Sequence, residues 1–81
     1  MMLDVKLFAR AREMAGTDQV RLDLSESACV GDLRAALAVR FPQMRTLVPS
    51  LLVAVGNEYA DDRTLLPQDT EVACFPPVSG G

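Results

Sequence analysis

The stretch that decides the fold is Val30-Gly31-Asp32-Leu33-Arg34-Ala35-Ala36-Leu37-Ala38-Val39-Arg40-Phe41. Val30, Leu33, Leu37 and Phe41 recur at helical spacing, which lays an apolar stripe along one side of a helix and requires a core beneath it. Asp32 in the first turn and Arg40 in the last complement the helix dipole. Pro42 disfavours helical backbone at the residue before it, so the helix ends at about Phe41. Its start is the weak point, because Cys29 stands where a hydroxyl or carboxylate cap is expected.

On the N-terminal side, residues 2–9 alternate. Leu3, Val5, Leu7 and Ala9 lie on one face and Asp4, Lys6 and Phe8 on the other, the pattern of a half-buried strand. Ala11 to Ala15 makes one helical turn that Gly16 stops, and Thr17-Asp18 turns the chain. Gln19–Leu24 alternates again, with Val20, Leu22 and Leu24 inward, and the short connection makes these two strands an antiparallel hairpin. On the C-terminal side, residues 43–50 read as loop. Leu51–Val55 is a continuous apolar run and reads as a buried strand; Gly56-Asn57-Glu58 turns into a short strand at Tyr59. Leu65 and Leu66 are expected to pack back on the core, Pro67-Gln68-Asp69 turns once more, and Glu71–Phe75 is the last strand.

One main helix laid across one face of a mixed sheet is an α+β arrangement. In the order strand, strand, helix, then further strands, it is the β-grasp, or ubiquitin-like, fold. The expected organisation is a β-grasp domain over residues 1–75 and an extended tail over residues 76–81 that ends in Gly-Gly.

Composition removes most chemistry. Eighty-one residues, 49% of them hydrophobic, form one small core with little left for a deep cleft. The chain has no histidine, which excludes a Ser-His-Asp triad, a Cys-His pair and any histidine-containing metal site. Cys29 and Cys74 cannot hold zinc by themselves, and both are expected to be structural. No metal or bound cofactor is expected. The net charge of −3 and the scarcity of aromatic residues argue against nucleic acid and anionic membrane as partners. The N-terminus resembles no secretory signal and no run is long enough to span a membrane, so a cytoplasmic protein with reduced thiols is expected. Asp61-Asp62-Arg63 reads as a solvated loop, and Arg10, Arg12 and Arg34 as solvated surface.

What remains is the tail. Pro76 and Pro77 cannot donate ladder hydrogen bonds and keep the chain extended. The side chains then shrink through Val78, Ser79, Gly80 and Gly81, a shape that can thread a narrow channel, since glycine has no Cβ to clash. A Gly-Gly end alone also fits a frayed terminus; here it directly follows the last strand. The α-carboxylate of Gly81, with an ordinary pKa of about 3.3–3.7, is ionised and a poor acylating agent, so it must be activated, commonly with ATP as an acyl-adenylate. Strand parity places Phe8 opposite Leu3, Val5 and Leu7, and Phe75 opposite Val72 and Cys74. In a β-grasp sheet the first and last strands are parallel neighbours, so both rings share the face the helix leaves open and mark a docking patch. The alternative is that they cap the edge of the core.

Phe75-Pro76-Pro77-Val78-Ser79-Gly80-Gly81 resembles the C-terminal signature of the molybdopterin synthase small-subunit family of sulfur carriers. Val5-Lys6-Leu7-Phe8-Ala9-Arg10-Ala11-Arg12-Glu13 with Gly16, Val30-Gly31-Asp32-Leu33, and Glu71-Val72-Ala73 resemble the same family, so the likeness spans the chain. It implies that an E1-like adenylyltransferase uses ATP to adenylate Gly81 and that a sulfur donor protein converts it to a thiocarboxylate. It implies further that Pro76, Pro77, Val78, Ser79 and Gly80 insert into the large subunit of molybdopterin synthase, in a heterotetramer, where sulfur passes to cyclic pyranopterin monophosphate. The chain would then be a non-catalytic subunit. Rival readings are a ubiquitin-like modifier joined to lysines through Gly81, a sulfur carrier for another pathway such as thiamine, and an interaction module with an inert tail.

Overall fold

Alternation in the first strand sets up the sheet. The computed structural model describes residues 1–77. In β1, Met2–Leu7, the side chains of Leu3, Val5 and Leu7 are buried and those of Met2, Asp4 and Lys6 face the other way. β2, Gln19–Asp23, pairs with it antiparallel, Val20 beside Val5 and Leu22 beside Leu3. Between them the expected single turn is a fuller helix, α1, Ala9–Ala15, which ends on Gly16 at φ 77° with the Gly16 N–H donating to the Arg12 carbonyl. Only glycine takes that left-handed position without a steric penalty.

The main helix, α2, Val30–Arg40, buries Val30, Leu33 and Leu37, and Phe41 just beyond it is buried as well. Its start is better secured than Cys29 suggested. The Asp32 carboxylate reaches back to accept the Cys29 backbone N–H at 2.9 Å and the Cys29 thiol at 3.4 Å. The orphan N–H groups of Val30 and Gly31 donate to the carbonyls of Thr64 and Asp62 at 2.9 and 3.0 Å. Asp61-Asp62-Arg63 is an exposed loop, as expected, and its backbone also serves the helix start. Arg34 does depart from its reading as solvated surface: its side chain is 18% exposed, with Nε donating to Asp62 at 2.6 Å and one terminal nitrogen to the Val48 carbonyl at 2.8 Å.

Residues 43–50, expected to be loop, hold parts of two 3-10 turns, Pro42–Met44 and Val48–Ser50. Each has a proline in its first positions, where a missing N–H does no harm and the fixed φ suits the turn. They bury Met44 and Val48 beneath the end of the helix.

β3, Leu52–Val55, and β4, Glu58–Tyr59, pair antiparallel; β5, Val72–Phe75, runs antiparallel to β3 and parallel to β1. The strand order is β2-β1-β5-β3-β4, so the first and last strands lie side by side within the sheet. Two expectations fail on exposure. Leu52 is 37% exposed, because strand alternation turns it to the open face, and Leu65 is 66% exposed, so only Leu66 packs back. α2 covers one face of the sheet over a single apolar cluster. The other face is open and presents the candidate site.

Candidate docking face and tail root

The parallel register sets Val5, Lys6 and Leu7 beside Val72, Ala73 and Cys74. One step further, the Phe8 N–H donates to the Cys74 carbonyl at 3.2 Å, and the Phe8 and Phe75 rings stack with centroids 4.7 Å apart and planes 6° from parallel. Ala9, at φ 52°, then turns the chain out of the sheet into α1. Both rings stand on the face opposite α2, in contact with each other.

The antiparallel register on the other side of β5 extends this face. Leu52 lies opposite Phe75, and Ala54 lies opposite both Ala73 and Tyr59. The Tyr59 ring meets Phe75 edge-on, 6.5 Å between centroids and 79° between planes. Phe8, Ala54, Tyr59, Ala73 and Phe75 line a shallow depression of about 260 Å³, with Glu71 at its margin. Tyr59 is 71% exposed and Phe8 38%. Aromatic side chains gathered half-exposed on an otherwise unpartnered sheet face make a surface suited to burial against another protein.

Sequence reasoning placed Phe8 and Phe75 on a common face but missed Tyr59 and Leu52. Tyr59 was assigned to a short strand without a neighbour, and Leu52 disappeared into an unbroken apolar run. The missing signal was the pairing register, since only Leu52↔Phe75 and Ala54↔Tyr59 show that these residues share a face.

Pro76 and Pro77 follow Phe75 directly, so the exit from the sheet begins at the edge of the aromatic face. Val78, Ser79, Gly80 and Gly81, expected to thread the partner and carry the activated group, lie outside the described residues. Cys74 is fully buried, and desolvation pushes its thiol up to about 11, opposed only partly by the charge of Arg34. A thiol held protonated in the core is no nucleophile near neutral pH. Cys29 is half-buried and donates to Asp32. Among the described residues no His/Cys/Asp/Glu cluster could hold a metal ion, and no helix is long and apolar enough to cross a membrane.

A mixed five-stranded sheet with one helix across one face, an aromatic opposite face and a glycine-ended segment after the last strand define a ubiquitin-like β-grasp protein. The chain belongs to the ThiS family, whose model it matches over residues 5–81. It is 32% identical to the molybdopterin synthase sulfur carrier subunit of Chlamydomonas reinhardtii, an alignment that covers 100% of both chains. It is 30% identical to the protein of the same name from Arabidopsis thaliana, over 98% of this chain and 82% of that one. Among solved structures, small archaeal modifier protein 1 (SAMP1) from Haloferax volcanii superposes with a TM-score of 0.88 at 34% identity, covering 100% of each chain.

Proposed function

We propose that this chain is the sulfur-carrier subunit of a molybdopterin synthase. One observation carries the reading: the Phe8–Phe75 stack lies at the exit of β5, so a partner seated on the aromatic face is brought directly to the root of a tail that ends in Gly-Gly. Full-length similarity to sulfur carrier subunits supports it.

In this reading the domain of residues 1–75 folds and docks, and residues 76–81 do the delivery. An E1-like adenylyltransferase transfers AMP from ATP to the carboxylate of Gly81 with release of pyrophosphate, and sulfur delivered by a donor protein at the sulfide level attacks the acyl carbon and displaces the AMP to leave a thiocarboxylate. The large subunit of the synthase grips the face around Phe8 and Phe75. Pro76, Pro77, Val78, Ser79 and Gly80 extend the thiocarboxylate into that subunit's catalytic pocket, where sulfur passes to cyclic pyranopterin monophosphate. Proline fixes the direction of such a tether and glycine keeps its end narrow. The chain supplies the sulfur and the large subunit the catalysis, in a cytoplasmic heterotetramer. The chain itself holds no cofactor; ATP is consumed by the activating enzyme.

The test is intact mass after incubation with ATP, the activating enzyme and a sulfur source. The expected result is the gain of one sulfur in place of one oxygen, abolished by deletion of Gly81. The similarity to a small archaeal modifier favours one second reading, transfer of Gly81 to lysines of other proteins. A ladder of higher-mass conjugates in place of the sulfur shift selects it, and an unchanged mass rejects both.

A further inference from the structure

Lys6 is the sole lysine of the chain, against seven arginines. A guanidinium stays protonated and accepts no acyl group, so Lys6 carries the one nucleophilic side-chain amine. It stands on the open sheet face, in register with Ala73 and two residues before Phe8. Its side chain is 45% exposed, with Nζ 3.3 Å from Glu71 Oε2. It also lines an open groove of about 330 Å³ with Asp4, Gln19, Asp69, Thr70 and Glu71, so another chain can approach it. The α-amine of Met1, by contrast, is engaged: it donates to the Leu24 carbonyl and pairs with Asp23 at 3.4 Å.

We propose that Lys6 is an acyl-acceptor site, at which this chain is joined to the activated tail of a second copy of itself. The inference rests on the carrier reading, because it needs a tail whose terminal carbonyl is activated. The donor is a second copy for a topological reason. β5 passes Lys6 at Ala73 and runs on through Phe75 in the same direction as β1, so the last described strand leads away from Lys6. In the reaction the Nζ lone pair attacks the terminal carbonyl carbon of the incoming tail. A C–N bond forms, and the bond from that carbon to its leaving group breaks. The leaving group, AMP from an adenylate or a thiolate from a thioester, departs with the electron pair. Lys6 loses one proton before attack and a second as the amide forms; Glu71 Oε2 lies within reach of the nitrogen to take one, and water takes the other. No oxidant or reductant is needed. The product is an isopeptide between Gly81 of one copy and Lys6 of the other.

The test uses the full chain prepared as a C-terminal thioester by intein thiolysis, which activates Gly81 without any enzyme. A failure of adenylation in the mass assay above and a failure here are therefore separate results. The expected product has the mass of two chains less one thiol, with peptide mapping placing the link at Lys6. Lys6→Arg, with an unchanged circular-dichroism spectrum, lowers its yield by at least about tenfold, because arginine keeps the charge but cannot be acylated. The proposal is overturned if the link maps to the Met1 amine or if Lys6→Arg gives an undiminished yield. It is equally overturned if a thioester that reacts with free cysteine forms no two-chain product.

Discussion

Asp32 does at the start of α2 what a residue at the cap position usually does. Its carboxylate collects the Cys29 N–H and thiol, and these bonds, the backbone one foremost, hold its carboxyl below the ordinary 3.8. A carboxyl depressed in the folded state adds stability above the unfolded-state value, and that stability is lost as pH falls through the lower folded-state value. Asp32→Ala is therefore expected to lower the melting temperature by a few degrees at neutral pH. Thermal melts in a pH series should show the gap to the unmodified chain closing as pH falls below 3.8. Phe75 is the centre of the aromatic face, touching both Phe8 and Tyr59, and docking turns on it in the proposed reading. Phe75→Ala is expected to weaken large-subunit binding by about 2 kcal/mol, roughly thirtyfold, as for a central interface anchor. Calorimetric titration measures this, and unchanged affinity would remove the face from the interface. Phe8 and Phe75 were legible because strand parity needs only the sequence. Reading Cys29 as a missing cap overlooks Asp32, because the reach-back from the third helical position depends on backbone geometry.

At the scale of elements, α2 is held less by its own cap than by the loop at residues 61–64 and the turn at Val48. Arg34 ties both to it. Arg34→Ala removes the side-chain donor to the Val48 carbonyl, which keeps the Leu51 N–H at 3.2 Å, and is expected to destabilise the domain by about 0.5–1.5 kcal/mol, read from urea unfolding. Little of that loss belongs to the ion pair, since Asp62 is 64% exposed and its charge is screened by water. The strands of the hairpin and α2 were legible because their apolar periodicities are unbroken. The segment from Gln43 to Ser50 was not: its short 3-10 turns have no period of their own and are shaped by Pro42, Pro49 and the burial of Met44 and Val48. The full extent of α1 was likewise hidden, since Ala9-Arg10 has no cap signal and begins with a left-handed residue.

At the scale of the molecule, the proposed reading divides folding and delivery between two parts of the chain. A chain cut after Pro77 is expected to keep its melting temperature within about 1 °C, because the strands, helices and buried cluster of the described residues all precede the cut, and to take up no sulfur in the mass assay. A large loss of stability on that cut would mean that the last residues belong to the domain. The mixed sheet was legible from element order, but the order in which its strands pair is a long-range property. The face it creates from Leu52, Tyr59, Phe8 and Phe75 appears only when residues far apart in sequence are brought into register.

That long-range pairing also bears on synthesis. β1 and β5 lie side by side within the sheet although Val5 and Val72 stand at opposite ends of the chain. Contacts of such separation form late and slowly. On the ribosome the sheet cannot close until β5 has been made, and the Gly-Gly end follows only a few residues later. A chain that stops before β5 therefore lacks both the central strand and Gly81, and in the proposed reading it presents neither the aromatic face nor the glycine carboxylate that is to be activated.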